Sequence, residues 1–183
     1  MLFQIVSFLL DVVGGLLTGA CLLRLYMQLQ RVPFGNPVGR LVFALSDWMV
    51  LPLRKLLPAM GRVDTSCLVA ALLVQVVQYL VLLLLLGAAM GLAWLPWLAL
   101  FGLVRTAVMG LMGLLIVYAV LSWVQTRSPI SDVIARLCEP LLAPVRRVLP
   151  ALGGVDLSPL VLLVLLQVLM IVLGNLQVGV LRY

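Results

Sequence analysis

The chemistry open to this chain is concentrated in two basic–acidic arrangements of identical spacing. Arg54 stands ten residues before Asp64, and Arg146 ten before Asp156, with Gly61 or Gly153 between them. A glycine turn reverses the chain, so each carboxylate can face its guanidinium. Arginine offers a two-pronged donor that lysine lacks, which explains why arginine comes first in both Arg54-Lys55 and Arg146-Arg147. Each aspartate also precedes a serine by two residues, close to a helix start where negative charge is favourable. Capping alone, worth roughly 1 kcal/mol, is the competing role. The two basic pairs suit either topological anchoring or binding of anionic headgroups or a partner. Catalysis is not expected. Histidine is absent, which removes the commonest metal ligand and general base. No nucleophile stands beside a base, and no phosphate-cradling loop is present. Cys21, Cys67 and Cys138 lack CxxC spacing and read as small apolar residues. A non-enzymatic protein without cofactor or metal follows.

Two glutamines form a second constellation. Gln75 and Gln167 each lie nine residues after a serine, Ser66 or Ser158. At the helical rise that is ~13 Å into a bilayer, near its midplane. An amide there needs a partner, and interhelical bonding of roughly 0.6 to 2 kcal/mol is the expected role, ahead of a substrate contact. Gln78, Asn175 and Gln177 would extend the seam. Asp11 and Arg105, in the outward ends of the first and third apolar runs, are expected to pair, because an unpaired charge there costs more.

Four apolar runs must position these groups, at about 4–26, 67–90, 100–123 and 159–180. Each is close to the ~20 residues that cross a bilayer core. With 65% hydrophobic and 10% charged residues, the 183-residue chain reads as an all-α membrane protein with four transmembrane helices. Asn36-Pro37 and Ser128-Pro129 are helix starts, and Ser66 and Ser158 read as N-caps. The helices that follow the two proline starts carry Leu41, Val42, Leu45 and Met49, or Val133, Ile134, Leu137 and Leu141, on one face. They read as amphipathic helices lying in the membrane surface, broken at Pro52 and Pro144. Residues 91–100, with Trp94, Pro96 and Trp97, read as a short connection. Gly15-x-x-x-Gly19, broadened by Gly14 and Thr18, reads as a close-packing stripe matched by Thr106 and Gly110.

The chain is also a duplication. Pro52/Pro144, Arg54/Arg146, Pro58/Pro150, Gly61/Gly153, Asp64/Asp156 and Ser66/Ser158 all lie 92 positions apart without a gap. Two repeats are expected, 1–92 and 93–183, each contributing two spans and therefore sharing one orientation. The net charge is +6, with basic residues in the two long connections. That suits anionic lipid better than nucleic acid, and makes those connections cytoplasmic and both termini external. The opening MLFQIVSFLLDVV has no basic side chain and does not read as a cleaved signal peptide.

The patterns NP…DW…P-x-RK-x-x-P-x-x-G-x-x-D-x-S and SP…EP…P-x-RR-x-x-P-x-x-GG-x-D-x-SP resemble the YggT/YlmG family of integral membrane proteins. The likeness covers nearly the whole chain and is strongest at EPLLAPVRRVLPALGGVDLSP, residues 139–159. The first copy departs at Trp48, Arg62 and Cys67, where the second has Pro140, Gly154 and Pro159. The resemblance implies a multi-pass protein of the bacterial inner membrane. Bacterial relatives are linked to osmotic stress, potassium homeostasis and cell division. Plastid relatives are linked to nucleoid partition and to haem attachment in cytochrome b6f assembly. The implied roles are a scaffold, assembly or stress-tolerance factor or, alternatively, a small ion or osmolyte transport component, with membrane proteins or further copies as partners.

Overall fold

The computed structural model describes residues 1–56, 64–87, 89–124, 128–148 and 156–180. They form six α-helices: α1 (Leu2–Leu29), α2 (Pro37–Leu56), α3 (Thr65–Leu85), α4 (Leu95–Val124), α5 (Pro129–Val148) and α6 (Ser158–Val180). No strand occurs among the described residues. Four of the helices, α1, α3, α4 and α6, are long and apolar enough to cross a membrane. Pro58, Gly61, Arg62, Arg127, Pro150, Gly153 and Gly154 lie outside the described residues.

The helix ends follow local rules. The backbone N–H groups of Arg31 and Val32 donate to the carbonyls of Gln28 and Met27, and Arg31 is left-handed at φ 53°. This is a Schellman stop, and Val32 folds back onto Met27 to complete it. Asn36 Oδ1 accepts from the Gly39 N–H at 2.7 Å, capping α2 as its sequence indicates. Gly87, at φ 64°, ends α3 short of the Met90 limit read from hydropathy. A 3-10 turn at Ala89–Trp94 follows, and α4 begins at Leu95, five residues earlier than the reading. Pro96 fits the first turn of α4, where its missing N–H costs nothing, so Trp97 lies within the helix and packs against Phe101 with the rings tilted and 5.2 Å apart.

The prolines do not break α2 or α5. α2 runs on through Pro52, and α5 through Pro140 and Pro144. All three prolines lie on the exposed side, where the carbonyl one turn earlier can be satisfied from outside the bundle. The opposite side of α2 buries Gly39, Val42, Ser46 and Val50, spaced three and four apart.

Both repeats share one interior. α3 packs against α1 and α2 of its own repeat and also against α4, whereas its counterpart α6 packs against α4 and α5 of its own repeat. Leu103 of α4 joins the cluster of Cys21, Val50, Cys67, Ala70 and Ala71. Met27, Val32 and Val42 are buried with Val133 and Leu137 of the second repeat. The Tyr26 hydroxyl donates to the Leu137 carbonyl at 2.7 Å, bonding the two repeats directly.

Candidate functional site

Both arginine–aspartate pairs are closed, and each aspartate does two things at once. Arg54 Nε donates to Asp64 Oδ2 at 2.9 Å, and Arg54 Nη2 donates to the same oxygen. The other oxygen, Oδ1, accepts from the Ser66 N–H at 3.2 Å as the cap of α3. In the second repeat Arg146 Nε and Nη2 donate to Asp156 Oδ2 at 2.9 and 2.7 Å, while Asp156 Oδ1 accepts from the Ser158 N–H at 3.0 Å. Capping and ion pairing are therefore not rivals but the work of separate oxygens. The cap of α3 is Asp64, not Ser66, and Ser158 lies inside α6 and receives the same aspartate contact.

Around this shared clamp the copies differ. Arg146 Nη1 reaches Glu139 at 2.9 Å and its Nη2 reaches the Tyr118 hydroxyl at 2.8 Å. Arg54 has neither contact; Gln28 Nε2 instead donates to Asp64 at 3.4 Å. Asp47, the counterpart of Glu139, is taken by Arg24 at 2.6 Å. The Arg24 side chain is buried, also donates to the Ser46 hydroxyl at 2.8 Å, and lies 4.6 Å over the Phe43 ring. In the sequence Arg24 is only a charge near the end of the first apolar run. Its bonding role was readable only from α2 lying beside α1.

The clamps shift their own titration. Burial pushes the Asp64 carboxyl up, but the Arg54 hydrogen bond and charge outweigh it, so the group sits below the usual carboxylate range. Asp156 is likewise lowered: burial opposes, while hydrogen bonds from Ser158 and Arg146 prevail. A carboxylate depressed in the folded state contributes stability at pH above its unfolded value, about 4. That contribution is lost as pH falls through the folded value. Stability in detergent is accordingly expected to decline below about pH 4, and to decline less in an Asp64→Asn/Asp156→Asn double variant. Equal slopes in melts at stepped pH would refute the linkage.

Between the spans the polar groups bond one another. Gln75, buried on α3, donates to the hydroxyls of Thr18 on α1 at 3.1 Å and Thr106 on α4 at 3.4 Å. Gln78 donates to Asp11 at 2.8 Å. The expected Asp11–Arg105 pair is absent from the ion pairs among the described residues: α3 supplies the partner of Asp11, and Arg105 is exposed on α4. Gln167 departs from its expected role too. It is exposed on α6, as is Asn175. Replacing Gln75 with Leu is expected to destabilise the protein by about 1 kcal/mol, read as a lower melting temperature, with Gln75→Glu no substitute.

The small-residue stripe works at other positions than its spacing suggests. A Cβ on Gly15, Gly19 or Gly110 would meet nothing within 4 Å. On Gly14 it would run into the Gln78 side chain, with Cδ at 2.8 Å, and on Gly102 into Gln75 and Tyr79, the latter at 2.6 Å. A side chain at either position would displace the amide that arrives from α3. Gly15, Gly19, Gly110 and Gly113 instead border an apolar cleft of about 530 Å3 between α1 and α4, flanked by Leu41 of α2 and Leu141 of α5.

What remains unengaged at the clamps is the second basic residue of each pair: Lys55 and Arg147 are exposed. The arrangement braces helices and presents positive charge. Comparison with known proteins agrees with the duplication. The sequence model of the CCB3/YggT family matches residues 3–85 and again 97–177. The uncharacterised protein YggT of Escherichia coli K12 is 39% identical over 167 residues, covering 89% of this chain and 86% of that protein. An uncharacterised protein of Vibrio alginolyticus is 36% identical, covering 92% of this chain and 93% of its own. One from Pseudomonas aeruginosa is 34% identical, covering 92% and 88%. No solved structure is significantly similar. With both halves matched and relatives aligned along most of their length, the chain belongs to the CCB3/YggT family of two-repeat membrane proteins.

Proposed function

We propose that this protein is a non-enzymatic scaffold or assembly factor of the bacterial inner membrane. The carrying observation is that the amides of α3 are engaged with polar groups of α1 and α4: Gln75 with Thr18 and Thr106, and Gln78 with Asp11. A transport path places ionisable groups or broken helices at mid-depth around a polar cavity, whereas the cleft here is lined almost entirely by apolar side chains and glycine, with Tyr26 and Thr106 its polar exceptions. In this reading α2 and α5 lie in the cytoplasmic interface, their exposed Lys55, Arg147, Arg40 and Arg136 meeting anionic headgroups or an acidic partner surface. Both termini are then external. The family resemblance adds a link to osmotic stress.

Photo-crosslinkers at positions 55 and 147 should capture anionic lipid or one recurrent membrane protein in intact cells. Purified protein in potassium-loaded liposomes should leak no faster than empty vesicles. Potassium flux that Gln75→Leu abolishes would replace this reading with transport. One observation favours that second reading: Asp11, Gln78, Gln75 and Thr18 follow one another along the α1–α3 contact. For orientation, an impermeant maleimide should label a cysteine at Gln4 and not one at Arg31 in intact cells. The opposite result would invert the topology.

A further inference from the structure

We infer that α6 is the seam along which two copies of this chain associate, with Gln167 meeting Gln167 across a two-fold axis. Leu160, Val164, Gln167, Ile171 and Gly174 are spaced four, three, four and three residues apart, and all are exposed. That is the spacing of a helix–helix seam of the coiled-coil type. Of the four spans α6 is the least covered: 6% of its apolar window is buried, against 22% in α1 and in α3.

Gln167 makes the open seam costly to leave in lipid. It sits about 13 Å along α6, where an amide without a partner is unfavourable. Its counterpart Gln75 is buried between two hydroxyls. Among the described residues Gln167 has no such supply, and the residue of α4 equivalent to Thr18 is Gly110, which carries no side chain. Its partner must come from another helix.

A second copy meets the requirement on its own. Copies inserted with the same topology run parallel and hold Gln167 at the same depth. A primary amide both donates and accepts, so two of them are self-complementary across a two-fold axis. One turn pair further on, Gly174 has nothing within 4 Å of an added Cβ, which lets two backbones approach. The seam thus has bulky residues at one end, a specifying amide at its centre and a small residue at the other.

Cysteine cross-linking in native membranes tests the geometry, since the native Cys21, Cys67 and Cys138 are fully buried. Val164→Cys, Gln167→Cys and Ile171→Cys should form disulfide dimers on mild oxidation, and Leu165→Cys and Leu169→Cys should not. Energy transfer between labelled copies in liposomes tests the amide. Gln167→Leu should weaken association about three- to twentyfold while leaving the melting temperature in place. Gln75→Leu should lower the melting temperature and leave association unchanged. Cross-linking of equal yield at all five positions, or unchanged association in Gln167→Leu, would overturn the proposal. Disulfides from position 167 to Gly110→Cys would overturn it too, by placing α6 in the α1–α4 cleft.

Discussion

Replacing Arg146 with lysine lowers the unfolding temperature of the solubilised protein, at a cost of roughly 2 kcal/mol. Three nitrogens of this guanidinium reach Asp156, Glu139 and the Tyr118 hydroxyl at 2.7 to 2.9 Å. A lysine ammonium is a point charge on a flexible stem and cannot span three acceptors in different directions. About a third of the Arg146 and Asp156 side-chain surface is exposed, so screening reduces the gain from each contact. The loss is therefore well below that for a fully buried network. Tyr118→Phe should reproduce about 1 kcal/mol of it. Combining Tyr118→Phe with Arg146→Lys should cost less than the two added together, because both remove the same bond. Thermal melts of the four proteins decide the matter, and full tolerance of lysine at 146 would mean that charge alone closes the clamp.

Gly39→Ala is expected to cost about 1 to 3 kcal/mol, although alanine is the better helix former. A Cβ at this position would stand 2.8 Å from the Phe34 Cα and 2.9 Å from its carbonyl carbon, so backbone rather than a flexible side chain must yield. The same shift would pull the Gly39 N–H from Asn36, loosening the cap of α2. Gly15→Ala and Gly110→Ala serve as controls, having open space at the added methyl, and should be neutral within about 0.5 kcal/mol. Should all three substitutions melt alike, the close approach of residues 34 and 39 is not a real constraint.

The parts of this structure that could be read beforehand are those written in local spacing. The 92-residue register, the Asn36 cap and the ten-residue Arg–Asp interval each depend on a few neighbouring residues and a turn. What escaped was the rotation of each span about its long axis. In a soluble helix, polar residues mark the outward side, but here both sides are apolar, so periodicity says little about which face packs. Hence Gly14 rather than Gly15 meets α3, Asp11 finds Gln78 rather than Arg105, and Gln167 faces outward while Gln75 does not. Proline misled for a related reason. Its penalty depends on whether the freed carbonyl finds another donor outside the helix, and Pro52 and Pro144 are exposed.

The bond from Tyr26 to the Leu137 carbonyl sets a timetable for biosynthesis. Met27, Val32 and Val42 complete their packing only with Val133 and Leu137. When α3 has been translated through Leu85, another stretch of chain must emerge before that packing exists. At bacterial elongation rates of 5 to 20 residues per second the wait is roughly 3 to 10 seconds. During it the first repeat stands in the bilayer with this packing unfinished, open to insertion factors and proteases. Slow codons placed between the repeats would lengthen that exposure, and synthesis speed would then govern yield as directly as any contact in the finished fold.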